Sequence, residues 1–206
     1  DENGDMQLAV SDMEIYSYLT PEYIASKLDV INNASLCVID TNLPAETIQY
    51  LCENCTVPIF ADPVSTAKAV KLLPVLGKIH TIKPNMLEAA LLTGIPVTDE
   101  RSARKAVDIL LELGVRQVFL SMGAAGVLYG NARGKKRIPN YPAEIRNTTG
   151  AGDSFMAALV MAYLSEFSTE KAARCGLAAA AICIEGENTI NEKLSRQAVL
   201  DRISEN

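Results

Sequence analysis

The sequence predicts an α/β fold: a doubly wound, mostly parallel sheet with helices on both faces. Three observations predict it. Short β-rich apolar runs alternate with amphipathic helical patterns through the first 120 residues. Polar residues gather where those strands should end. After residue 122 the rhythm changes to a hairpin followed by two long alanine-rich helices. Taken in order, a helix at 21–31 follows a capping Thr20, and Leu36–Ile39 is the first strand. The pattern predicts a helix over 45–54 after Pro44 and a strand around Ile59–Phe60. A helix over 65–76 and a strand at 79–82 come next. A helix at 86–92 stops at Gly94, and one at 101–113 stops at Gly114, where a glycine that can turn left-handed belongs. Val118–Leu120 is the next strand. Gly126–Tyr129 and Lys136–Ile138 flank a turn at 130–134 rich in Gly, Asn and Arg, which reads as a hairpin. The chain closes with helices at 151–164, 169–185 and 196–203.

Composition narrows the function classes. The 206 residues are 49% hydrophobic and 21% charged, in line with an ordinary globular protein, and the formal net charge is −6. That balance argues against a broad cationic surface for nucleic acid or anionic lipid, so any phosphate would be handled locally, by backbone amides and a metal. No apolar run approaches the roughly 20 residues needed to span a bilayer. A secretory leader pattern is missing too, and the expected location is cytoplasmic. Cys52 and Cys55 form a lone C-x-x-C with no second pair, and His80 is the single histidine. The five cysteines therefore read as reduced and structural rather than as a zinc site. The chain opens Asp1-Glu2-Asn3-Gly4-Asp5-Met6, resembling the middle of a strand pair, and the expectation is that an N-terminal portion is missing.

The strongest chemical signal is Asn147-Thr148-Thr149-Gly150-Ala151-Gly152-Asp153-Ser154-Phe155, directly before a helix. Gly150, Ala151 and Gly152 carry little side chain, so amides at a helix start can approach an anion closely. This makes them an anion hole for a transferring phosphoryl group. Asp153, in the first helical turn, is placed to accept a proton from a hydroxyl facing the same phosphorus. By itself, G-x-G-D is also what a tight turn and a dipole-favoured acid would show. The full string in an α/β chain with polar strand ends makes the chemical reading the better one.

That string closely resembles the second signature of the ribokinase-like (PfkB-type) carbohydrate kinases, D-T-x-G-A-G-D-x-F. Asn85-Met86-Leu87-Glu88 resembles the family's N-x-x-E motif, and Ser121-Met122-Gly123-Ala124-Ala125-Gly126 its [TS]-x-G-x-x-G turn. The likeness spans essentially all 206 residues but only the last two-thirds of the family's usual length, and the family's Gly-Gly element has no counterpart. It implies 1–13 as partial lid strands, which in the family cover the sugar and can pair between subunits into a homodimer. Residues 14–206 would then be the nucleotide-binding and catalytic domain. It also implies ATP along Ser121, Gly123 and Gly126, with Mg²⁺ organised through water by Asn85 and Glu88. Asp153 and Asn42 would face the acceptor. Asn147 and Thr149 would lie by a potassium loop; Asn147 replaces the signature's Asp, and the lost charge puts potassium dependence in doubt. Asp62-Pro63-Val64-Ser65 and Lys83-Pro84-Asn85 make the pseudouridine kinases the most similar subgroup, with pseudouridine the implied acceptor.

Each motif also has a plainer reading. Asn85 and Glu88 are what a helix cap would use, Ser121–Gly126 could be any turn between strands, and Asn42 could form an Asx-turn before Pro44. Asp62 reads equally well as a turn residue before proline, and Lys83 reads more readily as a surface lysine than as a phosphate ligand. Three functions stay open: a kinase for another sugar or nucleoside, a non-catalytic nucleotide-binding module, and a nucleotide-dependent oxidoreductase. The last is disfavoured because no G-x-G-x-x-G follows an early strand.

Overall fold

The computed structural model describes residues 12–205. Except for Asp12 and Met13, the expected lid strands at 1–13 lie outside the described residues. A 3₁₀ turn at Glu14–Tyr18 leads into α1 (Pro21–Ala25) and α2 (Leu28–Asn32). Next come β1 (Cys37–Asp40), α3 (Ala45–Asn54), β2 (Ile59–Asp62) and α4 (Thr66–Ala69), which runs on into a 3₁₀ stretch at Val70–Lys78. Then follow β3 (Thr81–Ile82), α5 (Met86–Thr93), α6 (Glu100–Glu112) and β4 (Gln117–Ser121). The hairpin is β5 (Val127–Asn131) with β6 (Gly134–Ile138). Last are α7 (Ala151–Leu164), α8 (Thr169–Ile184) and α9 (Arg196–Ser204).

Among the described residues the sheet has the order β1-β2-β3-β4-β5-β6. The first four strands are parallel, and β5 and β6 join antiparallel. Because the order never reverses, right-handed crossovers send α3, α4, α5 and α6 to a single face. The other face is covered by α7, α8 and α9. The strands record this division residue by residue: Val118 and Leu120 pack into the crossover-helix core, whereas Phe119 between them packs against Phe155 and the C-terminal helices.

Local signals explain most boundaries. In α6, Ala103, Ala106, Val107 and Leu110 repeat at helical spacing and are all fully buried, and Asp99 with Ser102 forms a capping box ahead of them. The small residues of α8 let it lie close to α7: a Cβ on Gly176 would stand 2.5 Å from the Phe155 ring. Two expected helices differ. The one expected at 21–31 is interrupted at Ser26 and Lys27. The one expected at 65–76 is α-helical only to Ala69, then winds as 3₁₀ through Pro74. Proline has no N–H for an i→i−4 bond and crowds the preceding turn, so the tighter winding prevails.

Candidate active site

Parallel pairing sets the polar strand ends side by side. Asp40 is in register with Asp62, Ala61 with Ile82, and Ile82 with Val118; Asn85 bridges to Ser121 just beyond. The expectation for Lys83 is overturned here. Lys83 is not a surface lysine: only 8% of it is exposed, and its Nζ lies 3.0 Å from Asp62 Oδ2. The other Asp62 oxygen accepts from the Val64 N–H at 3.1 Å. Val64 sits at φ 61°, a left-handed conformation that a β-branched residue adopts only under strain of about 1–3 kcal/mol. The Thr41 hydroxyl donates to the Pro63 carbonyl and fastens this turn to the end of β1.

One turn further on, Asn85 and Glu88 form a reciprocal capping box. Glu88 N donates to Asn85 Oδ1, and Asn85 N donates to Glu88 Oε2, both at 2.9 Å. Glu88 is 3% exposed. Burial raises its carboxyl pKa and the Asp62 charge adds to the rise, while the Asn85 N–H and the Lys83 ammonium oppose it. Among the described residues no cluster of three or more His, Cys, Asp or Glu side chains is arranged to hold a metal. Asn85 and Glu88 together supply oxygen donors of the kind a hard cation such as Mg²⁺ takes, with waters or a phosphate completing its shell.

The Asn147–Phe155 segment forms the start of α7. Gly150 is the N-cap residue at φ 84°, and a Cβ there would meet the Thr189 carbonyl oxygen at 2.3 Å. Only glycine meets both demands. A Cβ built on Gly152 would lie 3.4 Å from Lys83 Nζ, so the ammonium group stands directly under the helix start. Amide donors, the positive helix end and a buried cation converge at this point.

Two cavities meet there and share no lining residue. The larger, about 790 Å³, is lined by Lys83, Asn85, Ser121, Gly123, Gly126, Ala151 and Gly152, with an apolar wall that includes Tyr141, Ile145, Phe155, Leu177 and Ile184. The smaller, about 500 Å³, is lined by Asp40, Asp62 and Asp153 with Val38, Ile39, Leu43, Met156, Ala157 and Val160. Gly152 faces the first cavity and Asp153 the second. Chemically, the arrangement can hold an anionic group at the helix end with a carboxylate on its far side.

The expected residues divide accordingly. Ser121, Gly123, Gly126 and Asn85 line the larger cavity, and Glu88 is buried beside it. Asn42 is engaged inside its own loop: its amide N–H groups donate to Asp40, and its Oδ1 accepts from Lys68. Asp40, not Asn42, lines the smaller cavity. Asn147 is also engaged, donating to the Glu187 carbonyl and accepting from Thr149 N, while the Thr149 and Thr189 carbonyls both face the Cys183 thiol. Sequence reasoning missed Lys83 and Asp40. The signal available for both was their place at the carboxyl ends of parallel strands, β1 and β3, either side of β2.

Comparison with known proteins agrees with this geometry. Residues 1–196 match the pfkB family of carbohydrate kinases. The chain is 33% identical to the pseudouridine kinase of Escherichia coli K12 over 208 residues, covering 98% of this chain and 66% of that one. Haemophilus influenzae ribokinase is 39% identical over 127 residues, covering 61% of this chain and 41% of that one. Among solved structures, a Clostridium perfringens protein described as a candidate sugar kinase superposes with a TM-score of 0.88 at 33% identity, covering 100% of this chain and 65% of that one. Arabidopsis thaliana ribokinase, solved with ribose and ATP, gives 0.76 at 26% identity, covering 86% of this chain and 58% of that one. The chain thus spans less than two-thirds of the length of these relatives. It belongs to the pfkB family of carbohydrate kinases.

Proposed function

We propose that the chain forms the nucleotide-binding and catalytic part of an ATP-dependent kinase that phosphorylates a primary hydroxyl of a nucleoside or sugar, with pseudouridine as the first candidate. One observation carries the reading: a nucleotide-sized cavity and a carboxylate-lined cavity meet at the start of α7, with Gly152 on one side and Asp153 on the other. At about 790 Å³ the larger falls within the usual range for small-molecule sites.

In this reading the apolar wall holds the base, and the Ser121–Gly126 turn lies along the phosphates. The amides of Gly150 to Asp153 and the Lys83 ammonium bear on the γ-phosphoryl oxygens, where charge stabilisation matters most. Mg²⁺, when bound, would be held through water by Asn85 and Glu88 and would supply neutralising charge to the phosphates. Asp153 takes the proton from the acceptor hydroxyl as its oxygen attacks phosphorus in line. Asp40 offers a carboxylate to other acceptor hydroxyls. A potassium ion would be held by the backbone carbonyls around Thr149 and Thr189 rather than by the Asn147 side chain, which its loop already uses.

The test is ATP turnover by the full-length protein across pseudouridine, uridine, adenosine, ribose and fructose. The expected result is phosphorylation with the highest kcat/KM for pseudouridine. Preference for ribose, fructose or adenosine removes the subgroup assignment and leaves the kinase. Nucleotide binding with no transfer to any acceptor favours a non-catalytic module.

A further inference from the structure

The ion pair between Asp62 and Lys83 crosses from one cavity to the other. Asp62 lines the carboxylate-lined cavity and Lys83 the nucleotide-sized one. Their side chains are 16% and 10% exposed, with Oδ2 and Nζ 3.0 Å apart. They end neighbouring parallel strands, joined by the Lys83 N–H to the Ala61 carbonyl at 3.2 Å. We infer that Asp62 is a positioning residue for phosphoryl transfer, acting through Lys83 by holding the ammonium group beneath the α7 N-terminus. The inference rests on the kinase reading above.

The competing assignment is an acceptor ligand, since Asp62 reaches the acceptor cavity. Its bonding favours the positioning role. One carboxylate oxygen holds Lys83, and the other is held by the Val64 N–H. That second bond lies in a turn where the Thr41 hydroxyl holds the Pro63 carbonyl and Val64 takes up φ 61°. A carboxylate with both oxygens engaged inside the protein suits aiming that lysine rather than gripping an acceptor. A long, flexible Lys side chain left unpaired would sample several rotamers, and few of them place Nζ under Gly152.

The experiment uses steady-state kinetics of the full-length protein, after thermal melts confirm that each variant is folded. Asp62→Asn is expected to lower kcat about tenfold or more while the acceptor KM stays within about threefold, with Asp62→Glu recovering part of the loss. In a Lys83→Met background the same Asp62→Asn change is expected to add less than about twofold, because residues acting as a unit are non-additive. A rise in acceptor KM with kcat retained, or an undiminished Asp62 effect without Lys83, overturns the inference. If Asp62→Asn alone does not fold, the double variant strands no charge and decides: its kcat must match that of Lys83→Met, and a much lower value overturns the inference. A wild-type protein with no transfer activity removes the kinase reading itself, a result separate from any of these.

Discussion

The two edges of the sheet are built from the same strands and could hardly differ more. At the carboxyl edge Asp40, Asp62, Lys83, Asn85 and Ser121 crowd together, with a buried ion pair and a left-handed Val64. At the amino edge of β2 and β3, the Phe60 and His80 rings stack at 5.5 Å and Tyr163 caps both edge-on. Cys37, Cys52 and Cys55 lie near the opposite end of β1 from Asp40; among the described residues all five cysteines are free. Burial pushes the Cys37 and Cys52 thiols up to about 11 and about 12, so they are poor nucleophiles. One edge gathers charge and strain, and the other gathers apolar area. A doubly covered sheet can tolerate the costly edge because the quiet edge and two apolar layers hold the fold together.

The sharpest way to break that contrast is Asp153→Asn. Loss of a general base is typically worth about 10²–10⁴ in rate, and ATP affinity should stay within a few-fold because the carboxylate faces the other cavity. A folded Asp153→Asn protein with near-wild-type kcat would falsify the division of labour across α7. Next in size is Gly150→Ala, expected to damage both activity and folding: it places a Cβ 2.3 Å from the Thr189 oxygen at φ 84°. A loss of about 1–3 kcal/mol is expected, roughly 2–4 °C in Tm per kcal/mol for a chain of this size. Gly152→Val, with its Cβ merely in contact with Lys83 Nζ, should cost turnover and leave Tm nearly unchanged. Equal Tm losses in the two variants would show that the helix start is only a structural turn.

Glu88→Gln is a finer probe. Glutamine can keep the capping box while removing a carboxylate whose charged form burial disfavours. Tm at pH 7 should hold or rise, while turnover should fall about tenfold or more if the carboxylate supports the metal. Unchanged turnover would reduce Glu88 to a cap. The smallest effect belongs to the quiet edge. Burial, then the nearby Arg116 charge, lowers the His80 pKa, so the fold disfavours the charged ring. The unfolded chain takes up its proton first as pH falls below about 6.5, and stability is lost through that range and recovered above it. His80→Phe keeps an aromatic ring in the stack. The difference in Tm between variant and wild type should shift in the variant's favour from pH 7 to pH 5, with kcat at pH 7 unaffected. A large loss of kcat would mean that the amino edge reaches the chemistry.

What the sequence disclosed follows from the range of the interactions involved. Helices α3, α6 and α7 and the small-residue start of α7 were legible because caps, apolar spacing and small residues act within a few positions. The 3₁₀ winding through Pro74 was available too, since proline's missing N–H is a local fact. The break after Ala25 was not, because no proline or glycine marks it. Lys83 was misjudged and Asp40 passed over for a different reason. Their roles depend on which strand lies beside which, and single-residue chemistry carries no such information. Asn42 was expected to face an acceptor, whereas it is Asp40, at the strand end, that lines the carboxylate-lined cavity, an offset of two residues that a tight turn readily produces.

The two cavities share no lining residue, and in the kinase reading this bears on kinetic order. With no wall in common, filling one cavity need not wait on filling the other. The kinase reading then predicts a random-order rate law. Initial-rate lines for the two substrates should intersect, and each product should compete with the substrate that shares its cavity.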